Sequence, residues 1–441
     1  MTPNEILAIL SIVSFFAMLA IGIPVAVTLA VSGLVFGYLG FGPILFNLLP
    51  ARIYGVIANY TLIAIPLFVF MGVMLEKSKL ADELMDVIGH LAGGRSGGMA
   101  VGIILVGVLM GATTGIVGAT IVTLGVITLP ALMRRNYHLP TACGTICASG
   151  TLGQIIPPST ILILLADILG QSVGTLFAAA LIPGLLLASI FCIYLLLLGV
   201  FRPEMVPPVS LEERGSITRA NLWRKAMRVG LPPVALVLAV LGSIIGGIAA
   251  PTEAASMGAL GSVLVVVLAG RFSFALLRDV TLATTRITAG MMFVLICAQV
   301  FALAFRGLNG EQLVHDLFAH VPGGMSSVIF FMMLLIFVLG FFIEWIEISY
   351  IVVPLFLPIL QAANVDLIWI AALIAVNLQT SFLTPPFGWA LFYLRSVAPA
   401  SVPTIAIYKG VVPFIALQLI TLVLVFFFPG VATWLPRAIG W

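Results

Sequence analysis

MAVGIILVGVLMGATTGIVGATIVTLGVITLPAL, residues 99–132, is a run of 34 apolar or small side chains with GATTGIVGAT (111–120) at its middle. If it crossed a bilayer twice, each arm would have about 15 residues, or roughly 22 Å at about 1.5 Å per residue, against about 30 Å of hydrocarbon. A re-entrant hairpin that turns at mid-depth fits instead. The flanking charges agree. Lys77, Lys79 and Arg95 precede the run and Arg134 and Arg135 follow it, so the positive-inside rule puts both ends on the cytoplasmic face.

Composition sets the frame around this segment. The 441 residues are 62% hydrophobic and 8% charged, with 16 acids against 19 bases. A soluble domain carries about 45–50% apolar and about 25% charged residues, so this chain is an integral membrane protein. Long apolar runs, rather than ten-residue alternations, exclude an outer-membrane barrel and make the fold class all-α and polytopic. The net charge of +3 marks orientation and predicts no nucleic-acid partner. Cys143, Cys147, Cys192 and Cys297 lie inside apolar segments and read as small packing residues, with no transition metal and no covalent cofactor expected. His90, His138, His315 and His320 fall in expected loops or interfacial helices. MTPNEILAIL lacks a basic n-region and a cleavage site and reads as a first span rather than a removable signal peptide.

Outward from the hairpin, spans are expected at 5–21, 25–40 and 53–75, then an interfacial helix over 76–95 with Leu80, Leu84, Val87, Ile88 and Leu91 on one face. A crossing over 140–168 is broken at Pro157 and Pro158, and 173–200 returns. Residues 202–229, with Arg214, Arg219, Arg224, Lys225 and Arg228, read as a cytoplasmic linker dividing the chain into 1–201 and 230–441. The second part repeats the order of the first. It has spans at 230–250 and 253–270, a basic stretch around Arg271, Arg278 and Arg286, and a third span to about 305. A second hairpin covers 325–359 around FFIEWIEIS (341–349), a broken crossing runs 367–395 around Pro385 and Pro386, and a last span covers 410–430. SGTLGQIIPPS (149–159) is echoed by NLQTSFLTPPF (377–387), and GHLAGGRSGGM (89–99) by AHVPGGM (319–325). Five full crossings per half is an odd number, so the two repeats have inverted topology. Only Arg52, Arg306 and Arg437 of the 19 bases then lie outside, and both termini are periplasmic.

Interrupted helices and hairpins in inverted repeats are a transporter signature, because irregular backbone is tolerated at depth only where it is buried in protein or lines a wet cavity. The breaks concentrate the intramembrane polar groups: Thr113, Thr114, Thr120, Ser149, Thr151, Gln154, Ser159, Ser349, Asn377, Gln379, Thr380, Ser381 and Thr384. Each hydroxyl alone also reads as a packing residue bonded to its own helix. Gly111, Gly115, Gly118, Gly150 and Gly153 allow close backbone approach. The prolyl pairs leave carbonyls free one turn earlier, and carbonyl and hydroxyl oxygens around a small cavity suit a hard cation such as Na+. Glu344 and Glu347 lie three apart in the second hairpin, as coupling groups or as caps of a half-helix, with Arg395 a candidate partner. Glu253 reads as a first-turn acid, and Asp167 and Arg395 as interface anchors. No GxxxxGK[ST], no HExxH and no GxSxG on a strand-to-helix turn is present, so an ion gradient or a partner ATPase must supply the energy.

At these residues the chain resembles the large membrane subunit of a tripartite ATP-independent periplasmic (TRAP) transporter, of the ion-transporter superfamily. IPLFVFMGVMLEKSKLADEL (65–84), GATTGIVGATIVTLGVITLPAL (111–132), GFFIEWIEISYIVVPLFLPIL (340–360) and NLQTSFLTPPFGWALFYLR (377–395), together with 149–159, carry the likeness. The resemblance implies a Na+-driven importer of an organic acid in the bacterial inner membrane, working by an elevator motion without an ATPase. It also implies a small four-helix membrane subunit and a soluble periplasmic binding protein as partners. By position it implies one Na+ among Gly111, Thr113, Thr114, Gly150, Thr151 and Gly153, and another among Gly340, Glu344, Asn377, Thr380 and Leu383. Ser149, Gln154, Ser159, Glu347, Gln379, Ser381 and Thr384 are the substrate candidates. The second acid, Glu347, resembles a sub-branch labelled for chloroaromatic, mannitol or 2-oxo-acid uptake. Two other classes are discriminated by experiment: a self-sufficient anion symporter or antiporter would transport without a binding protein, and a membrane scaffold or enzyme would not transport.

Overall fold

A computed structural model describes residues 2–80, 83–85, 87–88, 94–209, 219–319 and 322–441. The described residues form helices and turns and no strand. The helices are α1 (Pro3–Ala20), α2 (Val25–Phe41), α3 (Ile44–Ile57), α4 (Ala64–Lys77), α5 (Gly98–Thr114), α6 (Val117–Arg134), α7 (Leu139–Thr151), α8 (Thr160–Leu169) and α9 (Val173–Phe201). The chain continues with α10 (Arg219–Ile245), α11 (Pro251–Leu268), α12 (Phe274–Gly307), α13 (Gly310–Ala319), α14 (Gly324–Leu339), α15 (Trp345–Ala362), α16 (Leu367–Leu383), α17 (Trp389–Val397), α18 (Thr404–Phe427) and α19 (Gly430–Ala438). Nine of the described helical segments are long and apolar enough to cross a membrane. Large apolar side chains such as Val200, Phe201, Leu260 and Phe274 stand exposed on them, which only a lipid surround makes stable.

The turn that opened the reading falls at Gly115 and Ile116. Gly115 closes α5 in the left-handed region (φ +60°), its N–H bonded to Gly111 O at 2.8 Å, a cap that glycine adopts without a Cβ clash. The two outer ends of this helix pair meet the same stretch of chain. Gly97 N–H donates to Val206 O at 2.9 Å, and His138 N–H donates to Met205 O at 3.0 Å. Arg135 Nη1 also reaches Met99 Sδ at 2.9 Å. The outer ends of α5 and α6 therefore lie together, against residues 205 and 206.

The crossing after this pair is interrupted. α7 has 13 residues and α8 has 10, about 20 Å and about 15 Å of helix, so only together do they reach across. Between them a 3-10 turn (Leu152–Gln154) leads into irregular backbone, and the Pro157–Pro158 bond is cis, as is Pro385–Pro386 between α16 and α17. Packing pairs the two series of helices crosswise. α2 lies on α12 and α4 on α11; α7 lies on α18 and α16 on α9; α6 lies on α17 and α15 on α8.

Several boundaries differ from the sequence expectation. The third span, expected over 53–75, is interrupted. α3 ends at Ile57, Asn59 Oδ1 accepts Thr61 N–H at 2.9 Å to start a 3-10 turn, and α4 begins at Ala64. Its counterpart in order, α12, is one helix of 34 residues that absorbs the basic stretch of Arg278 and Arg286. The linker expected over 202–229 is already helical from Arg219; Arg214 and the side chain of Arg219 lie outside the described residues. The last span begins at Thr404, and α19 follows it. In the interfacial stretch Leu80, Leu84 and Val87 are buried, whereas His90 and Leu91, like His320 and the side chain of His315, lie outside the described residues.

Candidate functional site

Two close approaches locate the site. A Cβ on Gly111 would overlap the Gly153 Cα, and a Cβ on Gly340 would overlap the Ser381 side chain. Gly153 and Ser381 hold the same place in 149–159 and 377–387, so each turn is pressed on the end of the helix before a break. Gly107 meets Ser149 in the same manner, Gly150 meets Ile121, and Thr160 Oγ1 donates to Gly115 O at 3.4 Å. Of the candidates, Gly111, Gly150 and Gly153 are thus brought to the first turn, and Gly340 and Ser381 to the second. Asn377 is not. Its Nδ2 donates to Met333 O at 2.6 Å, seven positions before Gly340, and it borders an apolar cavity of about 360 Å³ between α14 and α18. Leu383 is buried at the end of α16, where its carbonyl precedes the prolyl pair.

All but one of the hydroxyls follow one rule: the proton is already given to a nearby carbonyl, and Thr114 instead meets another hydroxyl. Thr113 donates to Met110 O at 2.8 Å, Ser149 to Ile146 O at 2.8 Å, and Thr151 to Ala148 O at 3.0 Å. Ser159 donates to Gln154 O, Thr380 to Val376 O at 2.9 Å, Ser381 to Leu378 O at 2.8 Å, and Thr384 to Thr380 O at 2.8 Å. Thr114 Oγ1 shares a proton with Thr120 Oγ1 at 3.2 Å and accepts Ile116 N–H at 3.3 Å. With their protons engaged, these groups other than Thr151, which accepts from Gln379 and Gln418, offer lone pairs, which favours coordinating a cation over donating to an anion.

Amides and carboxyls supply the other chemistry. Gln154, 2% exposed, has neither Oε1 nor Nε2 bonded, and Asn377 Oδ1, Gln379 Oε1 and Gln418 Oε1 are buried without a partner. Buried polar groups are usually satisfied, so these unpartnered amides are the candidates for holding a bound group. Glu344 is the residue before α15 and Glu347 lies in its first turn, where the helix dipole favours an acid. Tyr393 lies beside Glu344, and its ring covers Gly118 beyond the first turn, so one residue of α17 stands between the two helix pairs. Glu347 is 5% exposed and its Oε2 has no partner. Arg395 does not pair with either acid; its Nη1 donates to Val402 O at 2.5 Å. Asp167 accepts from Asn59 Nδ2 at 2.5 Å and from the Tyr350 hydroxyl at 3.1 Å. Glu253 accepts Ala250 N–H at 2.9 Å and caps α11.

Beside the second turn lies a cavity of about 690 Å³ lined by Phe16, Phe341, Phe342, Phe387, Trp389 and Phe392, and Trp389 Nε1 has no hydrogen-bond partner. Sequence reasoning missed Tyr393 and Gln418. Gln418 is the lone amide in the apolar α18, which gains meaning only beside Thr151 and Gln379. Tyr393 stands inside 377–395, where its hydroxyl was hidden among aromatic neighbours.

Apolar helices interrupted at two turns and two breaks, with buried polar groups gathered there, define a polytopic transporter rather than an enzyme. The family model described as "Tripartite ATP-independent periplasmic transporter, DctM component" matches residues 12–431, and the chain belongs to that family. It is similar to the C4-dicarboxylate TRAP transporter large permease of Pseudomonas aeruginosa, 30% identical over 91% of this chain and 92% of the relative. It is also similar to the ectoine TRAP transporter large permease of Halomonas elongata, 26% identical over 96% and 97%. Among solved structures, the Alcanivorax borkumensis YdaH transporter superimposes with a TM-score of 0.62 at 16% identity, covering 88% of each chain. The Neisseria gonorrhoeae MtrF structure gives 0.60 at 15%, covering 88% and 84%; these two likenesses speak for the fold alone. The chain is thus the large permease subunit of a tripartite system, a multi-pass inner-membrane protein whose partners are a small membrane subunit and a periplasmic binding protein.

Proposed function

We propose that this permease imports an organic acid, received from its periplasmic binding protein, and that a Na+ gradient drives the step through an elevator motion of the two hairpins and broken helices against the remaining helices. The observation that carries the reading is the matched pair of close approaches, Gly111 on Gly153 and Gly340 on Ser381, at equivalent places in the two series. The crosswise packing of α2 with α12 and α4 with α11, and of α7 with α18 and α16 with α9, supports two repeats related by a two-fold, and the distribution of the basic residues is what assigns them inverted topology with both termini periplasmic.

The donor set fits Na+. Thr113, Thr114 and Thr380 keep lone pairs, and the prolyl pairs release carbonyls near Leu383. When bound, Na+ supplies positive charge that holds each turn on its broken helix. Gln154 and the half-helix N-termini at Ser159 and Gly388, neither with a side-chain cap, are the donors left for a carboxylate. Relatives named for C4-dicarboxylates, sialic acid, isethionate and ectoine all take molecules with an acid group, ectoine as a zwitterion, which supports a substrate that carries an acid.

The test is uptake into proteoliposomes containing both membrane subunits, with the binding protein loaded outside. Uptake should follow an imposed inward Na+ gradient, and Thr380→Ala should raise the Na+ concentration for half-maximal uptake by about tenfold while expression holds. Uptake indifferent to Na+ overturns the coupling, and uptake without the binding protein overturns the delivery step.

A further inference from the structure

The walls of the cavity of about 690 Å³ beside the second turn come from three places. Phe341 and Phe342 belong to the turn, Phe387, Trp389 and Phe392 to the end of the second break and α17, and Phe16 to α1. α1 packs on α2 and α2 on α12, so Phe16 stands with the helices against which the turns are proposed to move. The Phe342 and Phe387 rings, 5.5 Å apart, join the turn to the break. A space along this boundary is where a carried molecule would sit, and its volume falls within the range of about 300–1,000 Å³ that small-molecule sites take.

Its polar groups are few. Gly388, between the lining residues Phe387 and Trp389, starts α17 without a side-chain cap, so the first N–H groups of that helix are available to an anion. Trp389 Nε1, buried without a partner, adds a donor. Among the described residues no acid, base or amide lines the cavity. One carboxylate can therefore be held, at the start of α17. A second on the same molecule would lie among phenyl faces, whose quadrupole is negative, with no cation to pair it, and an unpaired buried charge is costly. Rings are the natural surround for a ring. A cavity of about 150 Å³ already holds benzene, so this one accommodates a substituted aromatic body. A lipid acyl chain would fill the same space but leave the donors at Gly388 and Trp389 unmatched.

We propose that the cavity between α1, the second turn and α17 seats the substrate, and that the substrate is an aromatic monocarboxylate, its ring among Phe16, Phe342 and Phe392 and its carboxylate at the start of α17. The assignment rests on the import reading above and narrows its organic acid to one class.

The experiment melts the purified complex of both membrane subunits, in nanodiscs at fixed Na+, with phenylacetate, benzoate, acetate or succinate. The two aromatic acids should stabilise it at concentrations at least about tenfold below acetate and succinate. Phe16→Ala and Phe392→Ala should each raise the half-maximal phenylacetate concentration about tenfold and leave that of acetate unchanged, with Phe392→Leu in reserve should either fail to fold. Trp389→Phe removes the indole N–H but keeps a ring, and should weaken every acid alike. Succinate as effective as phenylacetate, or no effect of either aromatic acid, overturns the inference. So does a phenylacetate response that neither alanine variant moves, as expected if lipid fills the cavity. None of these results bears on Na+-driven uptake, which the import test reads separately, so the two readings fail independently.

Discussion

Gly111 and Gly153 touch where any side chain would have to displace backbone, and that backbone is the end of α7. Overpacking a well-packed interior costs about 1–3 kcal/mol, and here the chain cannot yield by moving a flexible tip. Gly111→Val is therefore expected to lower the melting temperature by several degrees and to abolish uptake. Gly55→Ala on α3, whose new Cβ meets nothing within 4 Å, should change neither. Equal behaviour of the two variants would mean that the approach at Gly111 is not needed. This contact was only half legible in the sequence: glycine at 111 and 153 announced room for the backbone, but which backbone fills it depends on a fold that brings positions 42 apart together. Gln418 was hidden for a different reason. A lone amide in an apolar helix has no meaning until Thr151 and Gln379 are seen beside it, and Tyr393 gains its role only through Glu344 and Gly118.

Elements follow from the same local chemistry. The break between α5 and α6 was readable from the glycines and length of 99–132, whereas the interruption before α4 was not, because Asn59 starts a new turn only when its side chain turns to Thr61 N–H. Asn59 also donates to Asp167, which holds Tyr350 of α15, so that interruption anchors a second hairpin arm. Helix starts at Arg219 and Phe274 escaped for another reason: basic residues suit solvated helix as well as linker. The re-entrant reading of α5 and α6 carries its own prediction. With both outer ends hydrogen-bonded to Met205 and Val206, single cysteines in place of Arg95 and Arg134, in a background without Cys143, Cys147, Cys192 and Cys297, should both be labelled by a membrane-impermeant maleimide only from the cytoplasmic face. Labelling of the two from opposite faces would mean that the segment crosses twice.

At the scale of the whole molecule, the crosswise packing divides the helices by what they can do without breaking contacts. α2 on α12 and α4 on α11 form a continuous interface through small residues, whereas the two turns rest on the broken helices, with Tyr393 standing between the two helix pairs. If the second group moves against the first, a bond within the first must be harmless and a bond between the two must stop transport. Gly37 and Ala304 test the first case: a Cβ on Gly37 would lie 3.0 Å from the Ala304 Cβ, near enough that Gly37→Cys with Ala304→Cys closes a disulfide after a small shift. Oxidation of that pair should leave uptake intact. Asn59→Cys with Asp167→Cys joins the start of the α4 segment to α8 across the other boundary, and a short bifunctional maleimide there should abolish uptake without reducing the binding protein's retention of substrate. The two broken helices also face each other through Thr151 and Gln379, so motion of one carries the other, and one cross-link at Asp167 should arrest both. Transport that survives the Asn59–Asp167 cross-link would require the hairpins to work in place, opening in turn at their tips while α8 stays fixed.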